Sequence, residues 1–286
     1  MILKEFPASM ATRGVVRSYR IAHFSLGSTG AQPVKLYTPK AEHSLQFFVR
    51  GEERVAYADG RCLQYRGAIT GSHDEITRRT VSREFMMLQI SFEPDGLHRL
   101  TGLPCGEIHN RYLSADELLG PGVLEVWERL AEASGTAEQL AIADAYIARL
   151  AARERERDPR PIGGLLRTLR DEPSASISEL AAAGGRSVRQ FERLCAERTG
   201  VGPKTMQRLA RFDRAFNARL QDPRRDWLQI ALDCGYHDYQ HMARDFSEFA
   251  ACTPPKLLQA HASAPECRLG LRQEFDLSYP GPGGMR

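Results

Sequence analysis

The sequence predicts an α+β protein: a mostly-β N-terminal domain with following helices, then an all-α C-terminal domain with two helix-turn-helix units. Three observations predict it. Short aromatic and aliphatic runs, parted by glycine and polar turns, fill residues 1–112. The hydrophobic period becomes helical at Ser114. Between Ser176 and Leu258 one pattern occurs twice: an apolar helix, a glycine corner, an amphipathic helix with basic residues on its free face, and a proline.

The 286 residues suffice for two ordinary domains, and 42% hydrophobic with 26% charged residues is a globular composition. No uncharged apolar run approaches the roughly 18–20 residues that span a bilayer. The opening MILKEFPASMATRGVVRSYR lacks the apolar core of a secretion signal, so a cytoplasmic location and no membrane partner are expected. Cys62, Cys105, Cys195, Cys234, Cys252 and Cys267 contain no CxxC pair and fit no zinc spacing. Neither a metal nor a cofactor is expected.

In the first domain, residues 1–112, strands are expected at Tyr19–Leu26, Leu45–Val49, Arg54–Tyr57, Arg66–Ile69 and Phe85–Phe92, forming a small barrel or sandwich. Met86, Leu88, Ile90 and Phe92 alternate onto one face, which should be core. Leu45, Phe47, Val49, Tyr57, Met87 and Phe92 are candidates to line a ligand pocket, with plain core as the alternative. His23, His43, His73, His98 and His109 are too scattered for a metal centre.

Residues 113–157 read as a helical dimerisation or packing segment. Ser114 to Glu117 has the form of a capping box, and Val123, Val126, Trp127 and Leu130 recur at helical spacing. A longer helix should run from Ala137 to about Arg157. Its stripe Leu140, Ala143, Ile147 and Leu150 is either a homodimer seam or a face packed on the β-domain. The charged, proline-broken run that follows places a linker at 158–161.

The remaining helical domain, 162–258, opens with Ile162–Arg170. Ser176 caps a short helix, Gly184-Gly185 make a corner, and Ser187 with Gln190 opens the next helix. Val188, Phe191, Leu194 and Cys195 should face inward, leaving Arg189, Glu192 and Arg193 outward. In the second unit Asp226 and Asp238 cap, Gly235 turns, and Met242, Phe246 and Phe249 face inward. Tyr239, Gln240, Ala243 and Arg244 then face out. Residues 1–160 carry 21 basic and 21 acidic side chains, whereas 186–219 carry 9 and 3. That local basic excess suits phosphate attraction. The tail, 259–286, ends in Pro-Gly-rich sequence and is expected to be partly disordered.

These motifs resemble the DNA-binding domain of the AraC/XylS family of bacterial transcription regulators. The resemblance rests on Ile177-Ser-Glu-Leu-Ala181, Phe191-Glu-Arg193, Thr199-Gly-Val-Gly-Pro203, Ile230-Ala231, Cys234-Gly-Tyr236, Met242-Ala-Arg-Asp-Phe246 and Thr253-Pro254. It implies seven helices, with Lys204–Gln221 fixing two recognition helices over successive major-groove segments. Arg189, Glu192 and Arg193 become the first readers, and Tyr239, Gln240, Ala243 and Arg244 the second. Three departures stand out: Arg186 in the first corner, which either loosens the first module or touches phosphate; Ala250-Ala251 in place of an aromatic-glycine pair; and the weakly polar readers Tyr239 and Ala243. The stretch Phe92 to Pro104, with Glu107, Asn110, Asp116-Glu-Leu and Gly120, is similar to a sensor domain of one subgroup.

The implied function is a sequence-specific regulator of promoter DNA, an activator by family habit. Its partners would be double-stranded DNA, RNA polymerase, a small-molecule effector and a second copy of the chain. One alternative is an interaction protein that modulates another regulator without binding DNA. The other is a β-domain enzyme or metal protein with an attached DNA module. No paired carboxylates, nucleophile elbow or phosphate loop supports an enzyme.

Overall fold

The computed structural model describes residues 2–26, 34–56, 60, 62–153, 162–262 and 274–275. The N-terminal region is built on two sheets. The larger contains β1 (Ile2–Pro7), β2 (Val16–Ser25), β4 (Ser44–Arg50), β7 (Gly67–Thr70), β9 (Glu84–Phe92), β10 (Tyr112–Ser114) and β11 (Glu274–Phe275). Their spatial order is β10-β7-β4-β9-β2-β1-β11. The smaller has the order β3-β8-β5-β6, from β3 (Val34–Tyr37), β5 (Glu53–Ala56), β6 (Cys62–Tyr65) and β8 (Thr77–Val81). All pairings are antiparallel except β1 with β11.

The large sheet is buried on both faces. On one, Ala22, Phe48, Ala68, Phe85 and Met87 join Val55 and Val81 of the small sheet. On the other, Tyr19, Ile21, Leu45, Phe47, Leu88 and Ile90 pack under helices. Those helices are α1 (Gly96–Thr101), α2 (Ala115–Leu119), α3 (Gly122–Glu132) and α4 (Thr136–Ala152). Trp127 of α3 donates its indole N–H to the Phe48 carbonyl at 2.7 Å. Asp144 of α4 accepts from Ser9, Thr12 and Tyr19 at 2.8, 2.6 and 2.7 Å, tying α4 to the start of the sheet.

Several expectations change. The five pocket candidates among the described residues do not share one face of the sheet. Leu45, Phe47, Val49 and Phe92 lie in the helix-covered core, while Met87 is on the opposite face. Strand alternation separates them, and a bulge between Phe48 and Arg50 sets their register. Tyr57 lies outside the described residues. The stripe Leu140, Ala143 and Ile147 is wholly buried within the chain, with Leu150 against the same cluster, so it is core and not a free dimer seam. Ser114 opens α2, but its hydroxyl bonds Asp116 and caps no backbone N–H, so no capping box forms. Helix α4 ends at Ala152, and the linker lies outside the described residues. β10 straddles the boundary drawn at residue 112. In the tail, residues 259–262 complete a helix and Glu274–Phe275 form the strand beside β1.

The C-terminal region has seven helices among its described residues: α5 (Gly163–Asp171), α6 (Ile177–Ala183), α7 (Val188–Thr199), α8 (Pro203–Gln221), α9 (Trp227–Asp233), α10 (Tyr239–Ala250) and α11 (Pro254–Ala262). It docks on the β-region through ion pairs. Arg170 of α5 donates to Glu93 at 2.9 Å, Lys40 meets Asp213 of α8 at 3.5 Å, and Arg198 of α7 lies 4.0 Å from Asp95. A cavity of about 60 Å³ at this junction is lined by Arg17, Lys40, Glu42, Phe92, Arg170 and Asp213, among others. Burial would raise the Glu42 carboxyl, but Arg17 and Lys40 hold it down at about 2.

Candidate nucleic-acid interface

Each recognition helix starts where its sequence says it should. Ser187 accepts from the Gln190 backbone N–H at 3.3 Å, and the Gln190 side chain accepts from the Ser187 N–H at 3.0 Å. This reciprocal box satisfies two orphan donors of α7. Asp238 accepts from the His241 N–H at 2.7 Å and opens α10. The preceding helices are capped by Ser176 on Glu179 and by Asp226 on Leu228 and Gln229. Between the paired helices, Gly185 and Gly235 take left-handed φ values of 65° and 84°. Glycine adopts this conformation without the steric cost that a Cβ brings.

Two small cores hold the helices, and α8 belongs to both. Phe191 and Cys195 of α7, Leu166 and Leu169 of α5 and Ala181 of α6 pack with Met206 of α8. Further along α8, Leu209, Phe212, Ala215 and Phe216 pack with Ile230, Met242, Phe246 and Phe249. The rings of Phe212 and Phe246 have centroids 4.6 Å apart. One helix filling two cores is what sets the spacing and angle between the units.

The outward faces then present the expected side chains. Arg189, Glu192 and Arg193 on α7 are exposed, as are Gln240 and Arg244 on α10. Ala243 is half-buried, and Tyr239 leans against the second core, so neither is fully free. Arg186 is half-buried and donates back to the Gly184 carbonyl at 3.0 Å, which braces its own corner. Val188, expected inside, is 40% exposed because it begins α7 beyond the edge of the first core.

A cluster of three charged residues that sequence reasoning missed lies behind α10. Arg208 of α8 binds Asp245 and Glu248 together. The available signal was Asp245 itself, an acid among the apolar positions Met242, Phe246 and Phe249. Such a carboxylate requires a buried partner. The thiols of Cys105 and Cys195 are pushed up to about 12 by burial and behave as small apolar groups. Among the described residues no group of His, Cys, Asp and Glu is arranged to hold a metal ion. Among them, too, no helix is long and apolar enough to cross a membrane.

Residues 180–260 match the family model described as a helix-turn-helix domain. Among solved structures, ToxT from Vibrio cholerae O395 is similar at 8% identity, covering 86% of this chain and 98% of that one, with a TM-score of 0.45. Unsaturated fatty acid bound wild-type ToxT from Vibrio cholerae strain SCE256 matches at 9% identity, 84% and 94% coverage, and a TM-score of 0.43. The AraC-like transcriptional activator CuxR matches at 13% identity, 73% and 78% coverage, and a TM-score of 0.28. No curated protein matches the chain.

Proposed function

We infer that the chain is a non-enzymatic, sequence-specific transcription regulator, acting as an activator, that reads two adjacent major-groove segments with α7 and α10. The supporting observation is the pair of exposed, capped recognition helices locked to one connecting helix, α8. Arginine on such a face reads guanine through two parallel hydrogen bonds, and glutamate accepts from cytosine N4. Lysines and the remaining arginines supply salt-dependent phosphate attraction. The two-sheet region acts as an effector-responsive domain, since its charged loops contact the first unit and α8 directly.

Selection of binding sites from random duplexes with the full chain tests this reading. The expected product is a bipartite site whose halves lie about one helical turn apart. A folded protein that selects nothing at low salt would favour the alternative of an interaction protein. A promoter fusion carrying the selected site reads the sign: repression would overturn the activator role.

A further inference from the structure

The two recognition helices carry the same charged pair at the same places. Arg193 and Glu197 on α7 correspond to Arg244 and Glu248 on α10, with the partners four positions apart in each. On α7 the pair closes on itself, with Arg193 Nη1 3.6 Å from Glu197 Oε2. On α10 it does not. Glu248 is drawn to the other side by Arg208, which donates from Nη1 to Oε1 at 2.9 Å and from Nη2 to Oε2 at 2.5 Å. The same guanidinium donates from Nε and Nη2 to Asp245 Oδ1 at 2.9 and 2.8 Å. It also lies over the Phe249 ring, 4.8 Å from the centroid. Glu248 sits below the ordinary carboxylate range because of its hydrogen bond to Arg208. Among the described residues, Arg244 has no acidic partner.

We propose that Arg208 is a positioning residue for base reading: it holds Glu248 away from Arg244 and so leaves the Arg244 guanidinium to a guanine edge. The proposal rests on the DNA-reading role inferred above. Its physical basis is competition. A carboxylate four residues on takes the same forked N–H groups that guanine O6 and N7 would accept. Arg208 removes that competitor with a bidentate hold on one acid and two further bonds to the other. Its stacking on Phe249 fixes the plane of the fork. Arg193 has no such helper and must release Glu197 before it reads.

The test uses Arg208→Lys, because lysine keeps a cation for the buried Asp245 but cannot also fork onto Glu248. Full-length protein is titrated with the selected site and each of its single-base variants, with thermal melting in parallel. Arg208→Lys is expected to lose up to roughly five-fold in discrimination at one base pair under α10, the most that competition from an exposed ion pair supplies. Discrimination under α7 is expected to stay unchanged. Adding Glu248→Gln should restore the lost preference, since a neutral amide competes weakly for Arg244. Glu248→Gln alone should leave the profile as in the parent. Uniform weakening at every base without rescue would show Arg208 to be only a tie between α8 and α10, and would overturn the proposal. A profile changed by Glu248→Gln alone would overturn it as well. A parent protein with no base preference at all would instead remove the DNA-reading role, and the proposal with it.

Discussion

Gly200 ends α7 in a left-handed conformation, φ 80°, and presses against the carbonyl oxygen of Cys105 in the β-region. A Cβ on Gly200 would lie 2.9 Å from that oxygen and 2.6 Å from Ser72 Oγ. The first unit therefore touches the β-region through backbone, at a point where no side chain fits. Gly200→Ala brings both left-handed strain and a contact that backbone must move to relieve. The expected loss is about 2 kcal/mol or more in unfolding free energy, measured by urea denaturation. An unchanged midpoint would mean that the junction yields freely.

The corresponding position of the second unit is Ala251, also left-handed at φ 52°. Here the residue is exposed. The strain is thus carried by a residue at the surface, open to solvent. Ala251→Gly removes that strain but adds chain entropy to the unfolded state. The expected net effect is a gain of about 0.5–1 kcal/mol with no change in base preference. A fall in melting temperature would count against it.

These two positions also show what was legible in the sequence. The helix caps, the corners and the outward arginines follow from local chemistry, because each is decided by a few neighbouring residues. The duplication of the unit made the alignment of Gly200 with Ala251 readable as well. What was hidden depends on partners far along the chain. β8 was missed because two of its three inward residues, Thr77 and Arg79, are polar; Arg79 is buried beside Glu53, 3.1 Å away, and only Val81 is apolar. The stripe on α4 was consistent with a dimer seam or a core, and only the sheet beneath it decides. The pocket candidates were chosen as apolar strand residues. Apolarity does not say which face of a doubly covered sheet a residue occupies.

Two buried histidines make the fold sensitive to acid. Burial lowers His43 to about 4 and His73 to about 3, against 6.5 for an unperturbed group. Below pH 6.5 the unfolded chain therefore binds protons that the folded chain refuses. Stability contributed by the neutral rings is present above that pH and is lost as pH falls toward 4 and 3. Each ring adds a slope approaching about 1.4 kcal/mol per pH unit in that window. Glu42 adds to the loss only later, between its unperturbed 4.5 and its folded value of about 2. The urea midpoint is expected to drop on acidification from near neutrality to about pH 5. Equal midpoints would show that the histidines are not held neutral.

Arg193 projects from the outer face of α7 with 70% of its side chain exposed, and its acidic contact among the described residues, Glu197 at 3.6 Å, is a surface pair. Such pairs contribute about 0–1 kcal/mol, so Glu197 is a weak competitor beside two hydrogen bonds to guanine. Arg193→Ala removes those bonds and leaves the helix intact, since its cap is made by Ser187 and Gln190 and its buried face by Phe191 and Cys195. Discrimination at one base pair under α7 is expected to fall by about 1–3 kcal/mol. Affinity for random duplex should fall much less, because the loss of one charge among many shifts phosphate attraction only slightly. Competition titrations with selected and random DNA at one salt concentration separate the two effects. Equal losses on both would assign Arg193 to the phosphate backbone and remove it from base reading.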